Sequence, residues 1–161
     1  MFSGRYLHTI DAKGRISFPA RFREVLGLAG DERIVLVNHP NDQIPCLEAW
    51  PLSSWQLIVR RAQRLPRLDD HTQYLLRWYI SSALECAIDP QGRILVPPLY
   101  REHTQLTKEA LWSGVADHLE LWAKDLWERH IVTLRESRSF DLSVLNPVFE
   151  IDDDPDGDEE Q

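Results

Sequence analysis

Residues 8–23 read HTIDAKGRISFPARFR, and residues 86–101 read CAIDPQGRILVPPLYR. At a constant offset of 78 the two stretches agree at Ile10 and Ile88, Asp11 and Asp89, Gly14 and Gly92, Arg15 and Arg93, Ile16 and Ile94, Pro19 and Pro97, and Arg23 and Arg101. A second match follows in the same order at an offset of 72: LEAWPLSSW at 47–55 against LELWAKDLW at 119–127. Self-similarity of this kind marks a duplicated structural unit. The chain therefore carries one module twice, with the difference in offset absorbed in a loop.

Each copy reads the same way. In the first, 6–10 and 15–18 are β-biased and flank Asp-Ala-Lys-Gly, a turn whose glycine takes positive φ at no steric cost. Pro19 suits the first turn of a helix, predicted over 20–26 and ended by Gly27. Strands are expected at 33–38 and 45–50, and a helix at 53–64. The second copy repeats this with strands at 84–88 and 94–96, a short helix after Pro98, strands near Leu111 and Leu119, and a helix over 123–135. Between the copies, 69–82 reads as a connecting helix capped by Asp69 or Asp70, with Leu75, Leu76 and Tyr79 spaced for burial. Neither copy has enough strands to be stable alone. The expected fold is α+β, two half-barrels that complete each other into a pseudo-symmetric β-barrel with flanking helices, since closure removes exposed sheet edges. The modules are placed at 5–51 and 83–126, followed by an acidic tail at 147–161.

The 161 residues carry a net charge of −8, but the excess is local. From Glu150 onward there are eight acids and no base, which leaves 18 acids and 18 bases in residues 1–149. The tail reads as a disordered, solubilising extension. Residues 1–24, by contrast, hold Arg5, Lys13, Arg15, Arg21 and Arg23 against Asp11 and Glu24. Overall acidity thus says little about what the folded surface binds, because at physiological salt local fields decide contact.

Apolar runs such as 34–37 are far too short to span a membrane, and the opening MFSGR lacks an apolar signal core, so no secretion peptide and no membrane partner are expected. Two cysteines, Cys46 and Cys86, cannot build a disulfide framework, which points to a reducing, cytoplasmic setting; Cys86 reads as a small buried hydrophobe. The six histidines show no metal spacing with each other or with the cysteines, so no metal or other cofactor is expected. No Ser-His-Asp order or phosphate loop stands out, which argues against an enzyme and a small-molecule substrate. Trp50 and Trp122 hold equivalent places, as do Trp55 and Trp127, and read as packing rather than base stacking. Arg60, Arg61, Arg64 and Arg67 read as a solvated helix face.

The chemistry of the repeat sits in Asp-x-x-x-Arg. The aspartate can accept hydrogen bonds from the turn and fix it, while Lys13 and Arg15 project from a rigid tip. The arginine fork pairs bidentately with a phosphate or with guanine O6 and N7, and Arg21 and Arg23 would extend the positive strip. The same residues could instead be scaffold, with Asp11 and Arg15 as a structural ion pair.

The opening MFSGRY with TIDAKGRISFPARFR at 9–23, SALECAIDPQGRILVP at 82–97, HTQLTKE at 103–109 and LELW at 119–122 together resemble the bacterial MraZ family over about residues 1–135. The resemblance implies two tandem SpoVT-AbrB-type modules forming a swapped-hairpin barrel within one chain, and a ring-shaped homo-oligomer. It implies a transcriptional regulator, a repressor, of the division and cell-wall gene cluster that includes its own gene. Double-stranded DNA is the partner, bound at G-rich direct repeats on the nucleoid. Carried over by position, Lys13 and Arg15 are the primary contacts, with Gly14 allowing close backbone approach. Arg5, Arg21 and Arg23 are phosphate contacts, and Asp11, Asp89 and Gly92 are structural. The second loop has Gln91 in place of lysine, and its Arg93 either touches the DNA backbone or holds the barrel together. The alternative is an antitoxin-like interaction module that docks a protein through the acidic tail, although a folding-on-binding segment usually has apolar anchors and this one has none beyond Ile151.

Overall fold

The strands on either side of each Asp-x-x-Gly turn do not continue as a pair; each finds its partner in the other half of the chain. The computed structural model describes residues 1–137. The first half runs β1 (Arg5–Thr9), β2 (Arg15–Ser17), α1 (Ala20–Leu28), β3 (Arg33–Asn38), β4 (Cys46–Pro51) and α2 (Leu52–Ala62). A linker follows: α3 (Asp70–Tyr74), a π-helical turn (Leu75–Tyr79) and a 3-10 turn (Ile80–Ser82). The second half repeats the order as β5 (Leu84–Ala87), β6 (Arg93–Leu95), α4 (Pro98–His103), β7 (Glu109–Gly114), β8 (Leu119–Ala123) and α5 (Lys124–Ser137). Residues 1–128 form one compact unit; the described part of the second, 129–137, is helical. No helix among the described residues is long and apolar enough to cross a membrane.

Six strands make an antiparallel sheet in the order β1-β7-β8-β4-β3-β5. The order mirrors itself about its centre: β1 pairs with β7 of the second half, β5 with β3 of the first, and β4 with β8 in the middle. The remaining strands, β2 and β6, pair only with each other in the register Arg15–Leu95, Ile16–Ile94, Ser17–Arg93. The strands thus form two sheets, one of six strands and one of two. β2 and β6 have three residues each and lie between Gly14 or Gly92 on one side and Pro19 or Pro97 on the other.

Alternation then sorts the side chains. Ile34, Leu36, Leu47, Ala49, Trp112, Leu119 and Leu121 point from the sheet into the main core. They meet Ile16 and Ile94 from the underside of the ribbon, Phe18 from just before α1, and Phe22 and Leu26 from α1 itself. Phe18 packs edge-on against Trp112 at 5.3 Å, and Trp112 Nε1 donates to the Ser17 carbonyl at 3.1 Å, tying ribbon to sheet. On the opposite face Val35 and Val37 pack with Trp55 and Tyr79. There the buried Glu48 accepts hydrogen bonds from Trp50 Nε1 and the Tyr79 hydroxyl, both at 2.7 Å. His118, from the second half, brings Nε2 to 3.7 Å of the same carboxylate.

Most expected elements are present within a residue or two. α1 runs past Gly27 to Leu28, because the chain turns only at Gly30, where φ is +73°. The linker is not one helix. Asp69 does cap it, accepting the Thr72 N–H at 2.8 Å, but the ladder widens to π geometry after one turn. That extra residue rotates Tyr79 inward to Glu48 and Trp55. Cys46 and Cys86 are both free and buried, and burial pushes the Cys86 thiol up to about 11. Trp55, Trp112 and Trp122 are buried, while Arg60, Arg61, Arg64 and Arg67 are exposed.

Ile16 and Ile94 face each other in register at the seam between the halves. Ile16→Ala or Ile94→Ala is expected to cost about 2–5 kcal/mol, read from the urea midpoint. The double variant should lose less than the sum, because the two share one cavity. Strict additivity would mean that the seam is not a single packing unit.

Candidate nucleic-acid interface

At the first tip, Asp11 does three things at once. Its Oδ1 accepts the N–H groups of Lys13 at 3.0 Å and Arg15 at 2.9 Å, and its Oδ2 accepts from Arg15 Nε at 2.8 Å. The backbone closes the same loop, with Gly14 N–H donating to Asp11 C=O and Asp11 N–H to Arg15 C=O, both at 2.9 Å. A loop of three residues whose last is left-handed is a natural hairpin closure, and Gly14 supplies that conformation at φ +87°.

The second tip is a copy. Asp89 accepts from Gln91 N–H and Arg93 N–H at 2.9 Å each and from Arg93 Nε at 3.0 Å, and Gly92 has φ +75°. Pro90 stands where the first tip has Ala12. Neither aspartate uses the N–H of that position, so proline removes no hydrogen bond there.

Both carboxyls are held below the usual carboxylate range, first by the backbone N–H of the arginine four residues on, then by its guanidinium. Desolvation opposes this without reversing it. The ion pair and the projecting arginine are compatible, because the carboxylate uses Nε. Among the described residues the Nη atoms of Arg15 and Arg93 have no hydrogen-bond partner, and the two side chains are 38% and 32% exposed.

The antiparallel ribbon sets the tips at its two opposite ends, with their arginines on one face. Ile16 and Ile94 face inward, so Arg15, Ser17, Arg93 and Leu95 share the outer face. On that face Arg15 and Arg93 are diagonal neighbours, a spacing of about 7–8 Å. Lys13 is exposed at the first tip, and Gly14, Asp11, Asp89 and Gly92 form the two turns themselves.

Arg23 is also brought in, though against the second tip rather than its own: a methyl group placed on Gly92 would lie 2.8 Å from Arg23 Nη1. Arg5 and Arg21 are not brought in. Arg5 begins β1, about 20 Å of extended chain from Asp11, and its guanidinium lies 5.1 Å from the Trp127 ring centre, a cation–π contact. Arg21 pairs with Glu24 at 3.0 Å on the outside of α1.

Arg101 of α4 joins the site without having stood out in the sequence. Its Nε donates to Val96 C=O at 3.0 Å, and the guanidinium rests against Gly14. The signal is there, because Arg101 and Arg23 are the last identical pair of the repeat.

Two outcomes test this geometry. Gly14→Ala would meet Val96 O at 2.5 Å in a backbone conformation L residues avoid, so it should cost more than the about 1 kcal/mol of a plain helix glycine difference by thermal melt; an unchanged Tm would contradict the left-handed turn. The aspartates carry a pH signature. A carboxyl held low in the folded state stabilises fully above the ordinary carboxylate range and loses that contribution as pH falls through its folded value. The stability gap between the parent and Asp11→Asn should therefore be flat near neutrality and close below about pH 4. A gap independent of pH would show that the charge does not matter.

A family model described as "MraZ protein, putative antitoxin-like" matches residues 1–78 and again 79–143. A protein of Desulfitobacterium hafniense (strain DSM 10664 / DCB-2) called "Transcriptional regulator MraZ" is 41% identical over 130 residues, covering 81% of this chain and 86% of that one. A protein of the same name from Thermoanaerobacter sp. (strain X514) is 37% identical over 153 residues, covering 95% and 98%. A third, from Syntrophobacter fumaroxidans (strain DSM 10017 / MPOB), is 38% identical over 136 residues, covering 84% and 88%. With both halves matched in order and relatives aligned over nearly their full lengths, this chain belongs to the MraZ family.

Proposed function

We propose that the chain is a DNA-binding transcriptional regulator that reads duplex DNA with the outer face of the β2/β6 ribbon. The observation carrying this is the pair of carboxylate-fixed tips whose arginines, Arg15 and Arg93, hold diagonal positions on one ribbon face. A two-stranded ribbon fits the major groove, where an arginine fork meets guanine O6 and N7. Arg15 is the base-reading residue and Lys13 a phosphate contact; Gly14, buried against Val96 and Arg101, shapes the turn and is withdrawn as a point of close approach. Arg93 contributes from the second tip, which lacks a lysine and reads less strongly. Asp11, Asp89 and Gly92 keep the tips rigid. Arg5 and Arg21 are withdrawn from the contact set, since both are engaged away from the tips.

The family resemblance supports the finer reading. The halves, with module bounds 5–51 and 83–126, act as one swapped-hairpin barrel. Several copies assemble into a ring and engage neighbouring G-rich direct repeats upstream of the chain's own gene, repressing the division and cell-wall cluster. Modest contacts multiply through effective concentration in such an assembly. The protein works in the cytoplasm, on the nucleoid, without cofactor or catalysis. The rival reading, docking of a partner protein by the tail at 147–161, falls outside the described residues.

A mobility-shift titration on the DNA just upstream of the gene, with shuffled repeats as control, tests the proposal. Arg15→Ala should lose about 1–3 kcal/mol per bound tip and relax base preference, whereas Lys13→Ala should weaken all sequences alike and flatten the salt dependence by about one unit per tip. Undiminished binding by Arg15→Ala would sink the assignment.

A further inference from the structure

Each tip rests on a floor built by the other half. Gly14 C=O accepts the N–H of Val96 at 2.8 Å, and Gly92 C=O accepts the N–H of Phe18 at 2.8 Å. A methyl group on Gly14 would lie 2.9 Å from Arg101 Nε and 3.1 Å from its Cζ; one on Gly92 would lie 2.8 Å from both Cζ and Nη1 of Arg23. A planar guanidinium therefore packs on the bare α-carbon of each turn glycine. Each arginine is itself fixed at the start of a helix: Arg23 N–H donates to Pro19 C=O and Arg101 N–H to Pro97 C=O, both at 3.1 Å. Arg101 is also anchored through Nε to Val96 C=O, on the residue whose N–H holds Gly14. Among the described residues neither guanidinium pairs with a carboxylate, nor does Lys13. The two tips with their floors thus bring five cations (Lys13, Arg15, Arg23, Arg93, Arg101) against the two carboxylates of Asp11 and Asp89.

We propose that Arg101 and Arg23 are positioning residues that work crosswise: Arg101, from the second half, holds the tip at 11–15, and Arg23, from the first half, holds the tip at 89–93. This rests on the DNA-binding reading and goes beyond it, because it makes base reading by one half depend on a side chain of the other. It also moves Arg23 from phosphate contact to support. The planar fork is what fits against a glycine α-carbon, so lysine is no substitute. Tip 1 carries the lysine and tip 2 does not. Loosening Arg101 therefore weakens binding more than loosening Arg23.

Double-variant cycles on the full chain test this, with a labelled duplex of the upstream repeats as probe at fixed salt. Arg101→Ala is expected to lower affinity about 3–10-fold, with Arg101→Lys recovering little. The loss should largely vanish in an Arg15→Ala background, which has already forfeited that tip, and persist in an Arg93→Ala background. The Arg23→Ala loss should show the reverse pattern. In the DNA-free protein, hydrogen exchange at Lys13 and Gly14 should quicken in Arg101→Ala while exchange at Gln91 and Gly92 holds. Loss in Arg101→Ala that simply adds to Arg15→Ala would mean an independent phosphate contact and overturn the crosswise assignment. Parent-like affinity in Arg101→Ala, beside a weakened Arg15→Ala, would overturn it while leaving the DNA reading intact. Parent-like affinity in Arg15→Ala would instead remove the DNA reading. If Arg101→Ala does not fold, Arg101→Met, which keeps an unbranched aliphatic stem, takes its place in the cycle: coupling to Arg15→Ala supports the crosswise assignment, and plain additivity overturns it.

Discussion

Every strand that flanks a turn in this protein depends on a strand from the other half. β1 and β5 form the two ends of the sheet, each held by a β-strand of the opposite copy, and the ribbon exists only because β2 meets β6. An unpaired strand leaves a row of N–H and C=O groups open, which costs stability and invites aggregation. Duplication within one chain solves this locally, since the second copy is always present at high effective concentration. The buried Glu48 makes the same connection in polar form, joining β4 to the linker through Tyr79 and lying near His118 of the second half. Binding surface and fold are thereby one construction: the crossing that completes the core also sets both tips on a single face.

Charge follows the same logic of place over total. Of the 18 bases and 26 acids, one base and nine acids lie beyond residue 137, so the described residues hold 17 of each. A neutral body leaves the local arrangement to decide what approaches. Arg15 and Arg93 give their Nε to an aspartate and keep the Nη end outward. An ion pair that would contribute little as an isolated surface contact here fixes the direction of a fork that has to meet a planar partner. The scaffold role and the contact role of Asp-x-x-x-Arg belong to different atoms of the same side chains.

Much of this is legible in the sequence because it is local. The turn chemistry of Asp11 and Gly14, the proline-led helices and the alternation of β3 and β4 are written within a few residues. Strand partnership is not local: nothing in 5–9 says that its ladder partner is 109–113, and the three-residue β2 and β6 give no hint that they stand apart as a ribbon. Arg5 looks like part of a basic strip because it is near Lys13 in sequence; the strand carries it about 20 Å away, to Trp127. Arg101 escapes notice for the converse reason, being remote in sequence from the tip it touches. The linker departs from a regular helix because Tyr79 has to reach Glu48, a demand set by the tertiary structure alone.

The most direct test of the ribbon as the DNA-reading surface is a backbone amide NMR titration of the isotope-labelled chain with the upstream direct-repeat duplex. The largest shifts are predicted at 11–17 and 89–95, on the ribbon and its two tips, with the arginine-rich end of α2 near Arg60 and Arg61 silent. Shifts confined to α2 and the following residues, with the ribbon unmoved, would contradict it.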